Sequence, residues 1–199
     1  MILNHLWGLY AHPRQEWRAI ERNHEGISSS LTHILLVALI PPICCYFASV
    51  HIGWSIGAGD LIRLTPESAQ FMAVGMYFAL IAAVFALAYL THWMAKTFGA
   101  NPQFSQALEV AAYSSTPMFM MGLATLYPQL WFVMLAALVA ISYSVYLLYS
   151  GVPIIMNIHE DRGFIYASSV VTCGLVLLVA VMAASVILWG HGFGPTYIS

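Results

Sequence analysis

Apolar residues along this chain come in long, nearly unbroken runs rather than in the alternating or single-sided patterns of a soluble domain. A helix needs about 20 apolar residues to cross the hydrocarbon layer. Five stretches predict such spans: residues 28–50, 71–98, 106–126, 130–150 and 164–189. The third is the least apolar, because it carries Glu109, the run Ser114-Ser115-Thr116 and Pro117. Tyr127-Pro128-Gln129 is a short turn, so the third and fourth spans should form a hairpin. In the second span Gly75, Ala79, Ala82, Ala83 and Ala86 recur at spacings of three and four, the pattern that lets a second helix approach closely in lipid.

The first residues follow a different rule. Leu3, Leu6, Trp7 and Tyr10 form one apolar stripe at helical spacing. Pro13 suits the first turn of a second short helix, where its missing N–H is not needed. Trp17 and Ile20 lie on one side of that helix, among Arg14, Arg18 and Arg22. Two placements are open: flat on the inner membrane surface, or packed against the cytoplasmic ends of the spans. The predicted fold is all-α: a polytopic membrane protein, a five-transmembrane-helix bundle with an N-terminal interfacial amphipathic helix pair. The division is 1–24 for the interfacial segment, 28–189 for the membrane domain and 190–199 for an outside tail.

Composition supports this class. Hydrophobic residues are 61% of the chain and charged residues 7%, where a soluble domain carries about 25% charged residues. So few charges cannot cover a water-facing surface, so the apolar excess faces lipid. A net charge of −2 provides no basic patch for nucleic acid. The basic residues also orient the bundle. With the N-terminus inside, Arg14, Arg18, Arg22, Lys96 and Arg162 are cytoplasmic and Arg63 alone is outside, as the positive-inside rule favours. Trp54, Trp131 and Trp189 then mark the outer interface, and Trp93, Tyr149 and Tyr166 the inner one. Residues 1–12 contain no Lys or Arg, so a cleavable signal is not expected and the first span serves as its own insertion signal. Cys44, Cys45 and Cys173 sit inside apolar runs without a CxxC pair and read as buried thiols.

Ionisable side chains inside a membrane are costly, so each needs a reason. Glu109 lies about 10 Å into the third span, counting 1.5 Å per residue. His33 and His92 fall at a similar depth on the cytoplasmic side, and the loop His159-Glu160-Asp161-Arg162 returns there. His33, His92 and Glu109, capped by His159, Glu160 and Asp161, are therefore the candidate site for a divalent metal such as zinc, or for a proton relay. The competing structural reading pairs Glu109 with Lys96 or His92 and gives His33 a backbone carbonyl. Contact with lipid headgroups is a third. Prolines at 41, 42, 117 and 153 free carbonyls inside or beside spans. The fourth span is rich in hydroxyls (Ser142, Tyr143, Ser144, Tyr146, Tyr149, Ser150), with Tyr113 and Ser114 of the third as their expected partners. No Gly-x-Ser-x-Gly, P-loop or HExxH motif is present, and the protein reads as no enzyme.

Three segments together resemble the bacterial members of the YIP family, the Ypt/Rab-interacting membrane proteins. His12-Pro13 followed by Trp17 and Ile20 resembles that family's opening segment. Gln106-Ala107-Leu108-Glu109-Val110-Ala111-Ala112-Tyr113-Ser114-Ser115-Thr116-Pro117 is similar to its third-span pattern, and Tyr146-Leu147-Leu148-Tyr149-Ser150-Gly151 to the end of its fourth. The resemblance implies five spans, a cytosolic N-terminus, an outside C-terminus and a bacterial inner membrane. Eukaryotic members are tied to Rab GTPases and carry a long cytosolic region with an Asp-Leu-Tyr-Gly-Pro element; this chain has neither. Two functions follow as expectations. The first is a non-enzymatic membrane organiser that needs no cofactor and meets the bilayer and a protein partner at its cytoplasmic face, with self-association open. The second is a small transporter or channel for protons or divalent cations built on the His/Glu cluster.

Overall fold

A computed structural model describes residues 8–23, 27–55, 59 and 61–198, and among them it is all-helical with isolated β-bridges and no strands. Helix α1, Pro13–Asn23, has Pro13 in its first turn, Glu16 at its positive end and Arg22 at its negative end, each favourable to the helix dipole. Leu3, Leu6 and Trp7 of the expected N-terminal stripe lie outside the described residues. Tyr10 sits in a helical turn at 8–11 and stacks on Tyr143.

The first apolar segment is broken in two. Helix α2, Ile27–Val37, and helix α3, Ile40–Phe47, are separated by a turn at Ala38-Leu39. Pro41 and Pro42 cannot donate to the helix ladder, and the Pro41 ring would crowd the carbonyl of Val37. Helix α4, Pro66–Met94, starts where the Thr65 side chain accepts from the Ser68 N–H. A 3-10 turn over Ala95–Phe98 extends it to Gly99. Helix α5, Phe104–Met120, starts where Gln106 Oε1 accepts from the Gln103 N–H at 2.8 Å, and a 3-10 turn over Met121–Leu126 follows. Helices α6, Leu130–Ile155, and α7, Glu160–Leu188, complete the bundle.

Four segments are long and apolar enough to cross a membrane: Ile27–Ile52, Pro66–Phe98, Leu130–Ile155 and Glu160–Phe193. Helix α5 falls short of that measure, for a physical reason. It packs against α2, α4 and α6, and every residue from Ala107 to Ser114 is buried. A helix surrounded by other helices needs no lipid-like exterior, so it can carry Glu109, Ser114 and Thr116 inward. Helices α6 and α7 instead expose Leu138, Val139, Val179 and Met182.

Some expected faces differ. Gly75 meets nothing within 4 Å and Ala82 is exposed, while Ala79, Ala83 and Ala86 are half-buried, so only part of the small-residue stripe is turned toward other helices. The buried face of α4 runs instead through Val84, Ala88 and Thr91, spaced four and three apart. Tyr166 is no interface marker: it is fully buried, stacks on Phe98 and donates its hydroxyl proton to the Thr91 carbonyl. The tyrosines of α6 turn away from α5. Tyr143 donates to the Leu9 carbonyl at 2.8 Å, and Tyr149 bonds Ser168 on α7 at 2.8 Å. Cys44, Cys45 and Cys173 are free thiols. At the opposite end from α1, the Arg63–Thr65 strip pairs with the C-terminal residues through Thr65···Thr196 (2.7 Å) and the Ile198 N–H to the Arg63 carbonyl (3.0 Å).

Candidate functional site

The most polar part of the interior is a stripe on α5. Glu109, Tyr113 and Thr116 follow i, i+4, i+7 and so share one face. All three are buried, Glu109 to 3% exposure. Across from them on α2 is His33, fully buried. Its Nε2 lies 2.9 Å from Thr116 Oγ1 and its ring centroid 4.6 Å from that of Tyr113. The Thr116 hydroxyl also lies 3.2 Å from the Ala112 carbonyl. A hydroxyl has one proton to donate, so Thr116 either accepts from His33 Nε2–H while donating to Ala112 or donates to His33 Nε2.

Helix α1 closes this stripe from one side. Trp17 is fully buried, with its ring edge-on to Tyr113 at a centroid distance of 6.3 Å. Ile20 and Leu9 are buried beside it in one cluster with Val110, Leu147 and Val152. The indole lies directly on the backbone of α6: a Cβ on Gly151 would sit 2.5 Å from Trp17 Cε2, so only glycine admits it. Arg14, Arg18 and Arg22, four residues apart, are exposed on the outer face of α1.

The remaining predicted site residues are elsewhere. His92 is half-buried near the end of α4, edge-on to Phe104 at 6.0 Å, and its Nδ1 has no hydrogen-bond partner among the described residues. His159, Glu160 and Asp161 are exposed at the start of α7, where His159 Nδ1 lies 3.4 Å from Asp161 Oδ2. Among the described residues no three His, Cys, Asp or Glu side chains are grouped so as to hold a metal ion. His33 faces Thr116 and Tyr113 through hydrogen-bond and ring contacts of an ordinary buried polar pair.

The Yip1 domain matches residues 7–181, from the helical turn before α1 to well inside α7. The chain belongs to the Yip1 family. Inner membrane protein YohC of Escherichia coli (strain K12) is 37% identical over 192 residues, which is 96% of this chain and 98% of that protein. Inner membrane protein YohC of Escherichia coli O6:H1 (strain CFT073) matches to the same extent. No solved structure matches the chain. With four apolar helices and these relatives, this Yip1-family chain is an integral inner-membrane protein.

Within the Yip1 match, two participants escaped sequence reasoning as site residues. Thr116 and Tyr113 are the direct neighbours of His33, and their spacing from Glu109 was the available signal. Trp17 was read as part of an amphipathic face, but no pattern in the sequence says that its indole lands on Gly151.

Proposed function

We propose that this protein is a non-enzymatic membrane organiser that presents a basic cytoplasmic face to a protein partner or to lipid. One observation carries the reading. Helix α1 is anchored by Trp17 and Ile20, while Arg14, Arg18 and Arg22 stand exposed in a row. A segment held this firmly, with its charges outward, is built as a surface rather than as a tether.

The orientation belongs to the same proposal: five spans, N-terminus cytoplasmic and C-terminus periplasmic. Helix α5 with its 3-10 extension is about 38 Å long at the standard rise per residue, enough for a hydrocarbon layer of about 30 Å. Counting it as the fifth span puts five basic residues inside and Arg63 outside. The division into an N-terminal segment 1–24, a bundle 28–189 and a tail 190–199 follows. The cation-pathway alternative draws no support from the fold: His33 faces the stripe that carries Glu109, but His92 lies against Phe104, and His159, Glu160 and Asp161 are exposed at the start of α7.

A photo-crosslinking residue at position 18, in living cells, tests the proposal. We expect discrete crosslinked products, absent when the same residue replaces lipid-facing Leu138. No product at position 18, together with Zn²⁺ or H⁺ flux in proteoliposomes that Glu109→Gln abolishes, would replace the organiser with the transporter.

A further inference from the structure

Two basic side chains far apart in sequence, Lys96 and Arg162, line one cleft at the end of the bundle assigned above to the cytoplasm. The 3-10 turn after α4 and the first turns of α7 border an open cleft of about 390 Å³ lined by Lys96, Thr97, Phe98, Gly99, Arg162 and Ile165. Among the described residues no carboxylate lines it. Glu160 and Asp161 precede Arg162, but Asp161 is engaged by His159 at 3.4 Å and neither acid borders the cleft. Among the described residues Lys96 and Arg162 make no ion pair.

The cleft is built to hold the guanidinium. Gly99 ends the 3-10 turn at φ +80°, a conformation that side chains disfavour. A Cβ there would lie 2.8 Å from Arg162 Nη1. The glycine thus turns the chain and also leaves the space in which Arg162 rests against the backbone. Phe98, stacked on Tyr166 at 4.9 Å, fixes the turn to α7. Two like charges so placed repel each other unless an anion lies between them.

We infer that this cleft binds the phosphate of an anionic glycerophospholipid. The apolar border chooses the lipid over a free anion. Ile165 lines the cleft, Phe164 beside it is 61% exposed, and Trp93, one turn before Lys96, is 69% exposed. Charge at the headgroup level with aromatic and aliphatic side chains below it matches a phospholipid, phosphate above and acyl chain along the helix. Thr97 adds a hydroxyl donor to the same cleft. Assignment to the cytoplasmic leaflet rests on the orientation proposed above; the binding chemistry does not.

Native mass spectrometry of the full-length protein in detergent tests this, with phosphatidylglycerol, phosphatidylcholine and inorganic phosphate as separate probes. Phosphatidylglycerol should bind the wild type, while phosphatidylcholine and inorganic phosphate bind far less. The pair K96Q/R162Q should weaken phosphatidylglycerol roughly thirtyfold, from the usual contribution of two basic residues at an anionic surface. K96R/R162K should keep it, tying the loss to charge. R14Q/R18Q/R22Q should keep it too, which separates the cleft from the α1 surface. Undiminished binding in K96Q/R162Q, equal binding of inorganic phosphate, or loss in K96R/R162K would overturn the inference. The measurement is independent of orientation in the membrane, so it stands or falls apart from the five-span topology.

Discussion

Trp17→Ala removes the largest side chain between α1 and the bundle. The indole is fully buried, rests on Gly151 and meets Tyr113 edge-on. Truncating a buried aromatic of this kind costs about 3–5 kcal/mol. Helix α1 attaches mainly to α6, so the loss should fall on that attachment and leave the bundle folded. A change of that size raises the undocked fraction roughly 150- to 5000-fold. Trypsin reads this fraction. Arg14, Arg18 and Arg22 are exposed, but they lie in a helix that must open before cleavage. When opening is fast, the cleavage rate follows the open population. In nanodiscs Trp17→Ala should therefore be cut within α1 at least about a hundredfold faster than wild type, with the thermal transition of the bundle nearly unchanged. Gly151→Ala should act in the same direction, because its methyl group would displace the indole. A cleavage rate within about twofold of wild type for Trp17→Ala would refute the docking argument.

Other outcomes follow from the buried stripe. Thr116→Val keeps the shape but removes the hydroxyl that bonds His33 Nε2; it should lower stability by about 1–3 kcal/mol, seen as a drop of several degrees in Tm by scanning fluorimetry in detergent. Glu109→Gln preserves hydrogen bonding and should change Tm little, with no Zn²⁺ or H⁺ flux in proteoliposomes of either variant or wild type. R14Q/R22Q, with the photo-crosslinking residue at position 18, leaves the Trp17 and Ile20 anchors intact, so it should fold with unchanged Tm yet lose the crosslinked products expected at the cytoplasmic face.

Much of the architecture was legible because lipid imposes a strong rule: long apolar runs become helices. The four most apolar segments emerged where expected, and the Pro41-Pro42 break fell inside the first. Side-chain partners were less legible. Glu109 and His33 were recognised as buried polar groups, since their depth follows from residue count. Their neighbours depend on how α2 and α5 rotate about their axes, and nearly uniform apolar helices carry little periodic signal to fix rotation. The same cause explains why only part of the expected small-residue face of α4 is covered, where alanines occur on every side, and Tyr166, whose aromatic ring suits an interface as well as a core. Residue count gives His92 and the loop at His159 the depth of His33, but His92 meets Phe104 and the loop is exposed at the start of α7, and depth alone could not reveal those surroundings.

The organiser reading depends on which side of the membrane α1 faces. Paired alkaline phosphatase and green fluorescent protein fusions after Ser199, with a second pair in the 99–103 turn, measure this directly. The five-span orientation predicts an active phosphatase and a dark fluorophore at Ser199, and the reverse at 99–103. A fluorescent fusion at Ser199 without phosphatase activity would put both termini on the same side. That result would remove α5 as a span and contradict the cytoplasmic-face account.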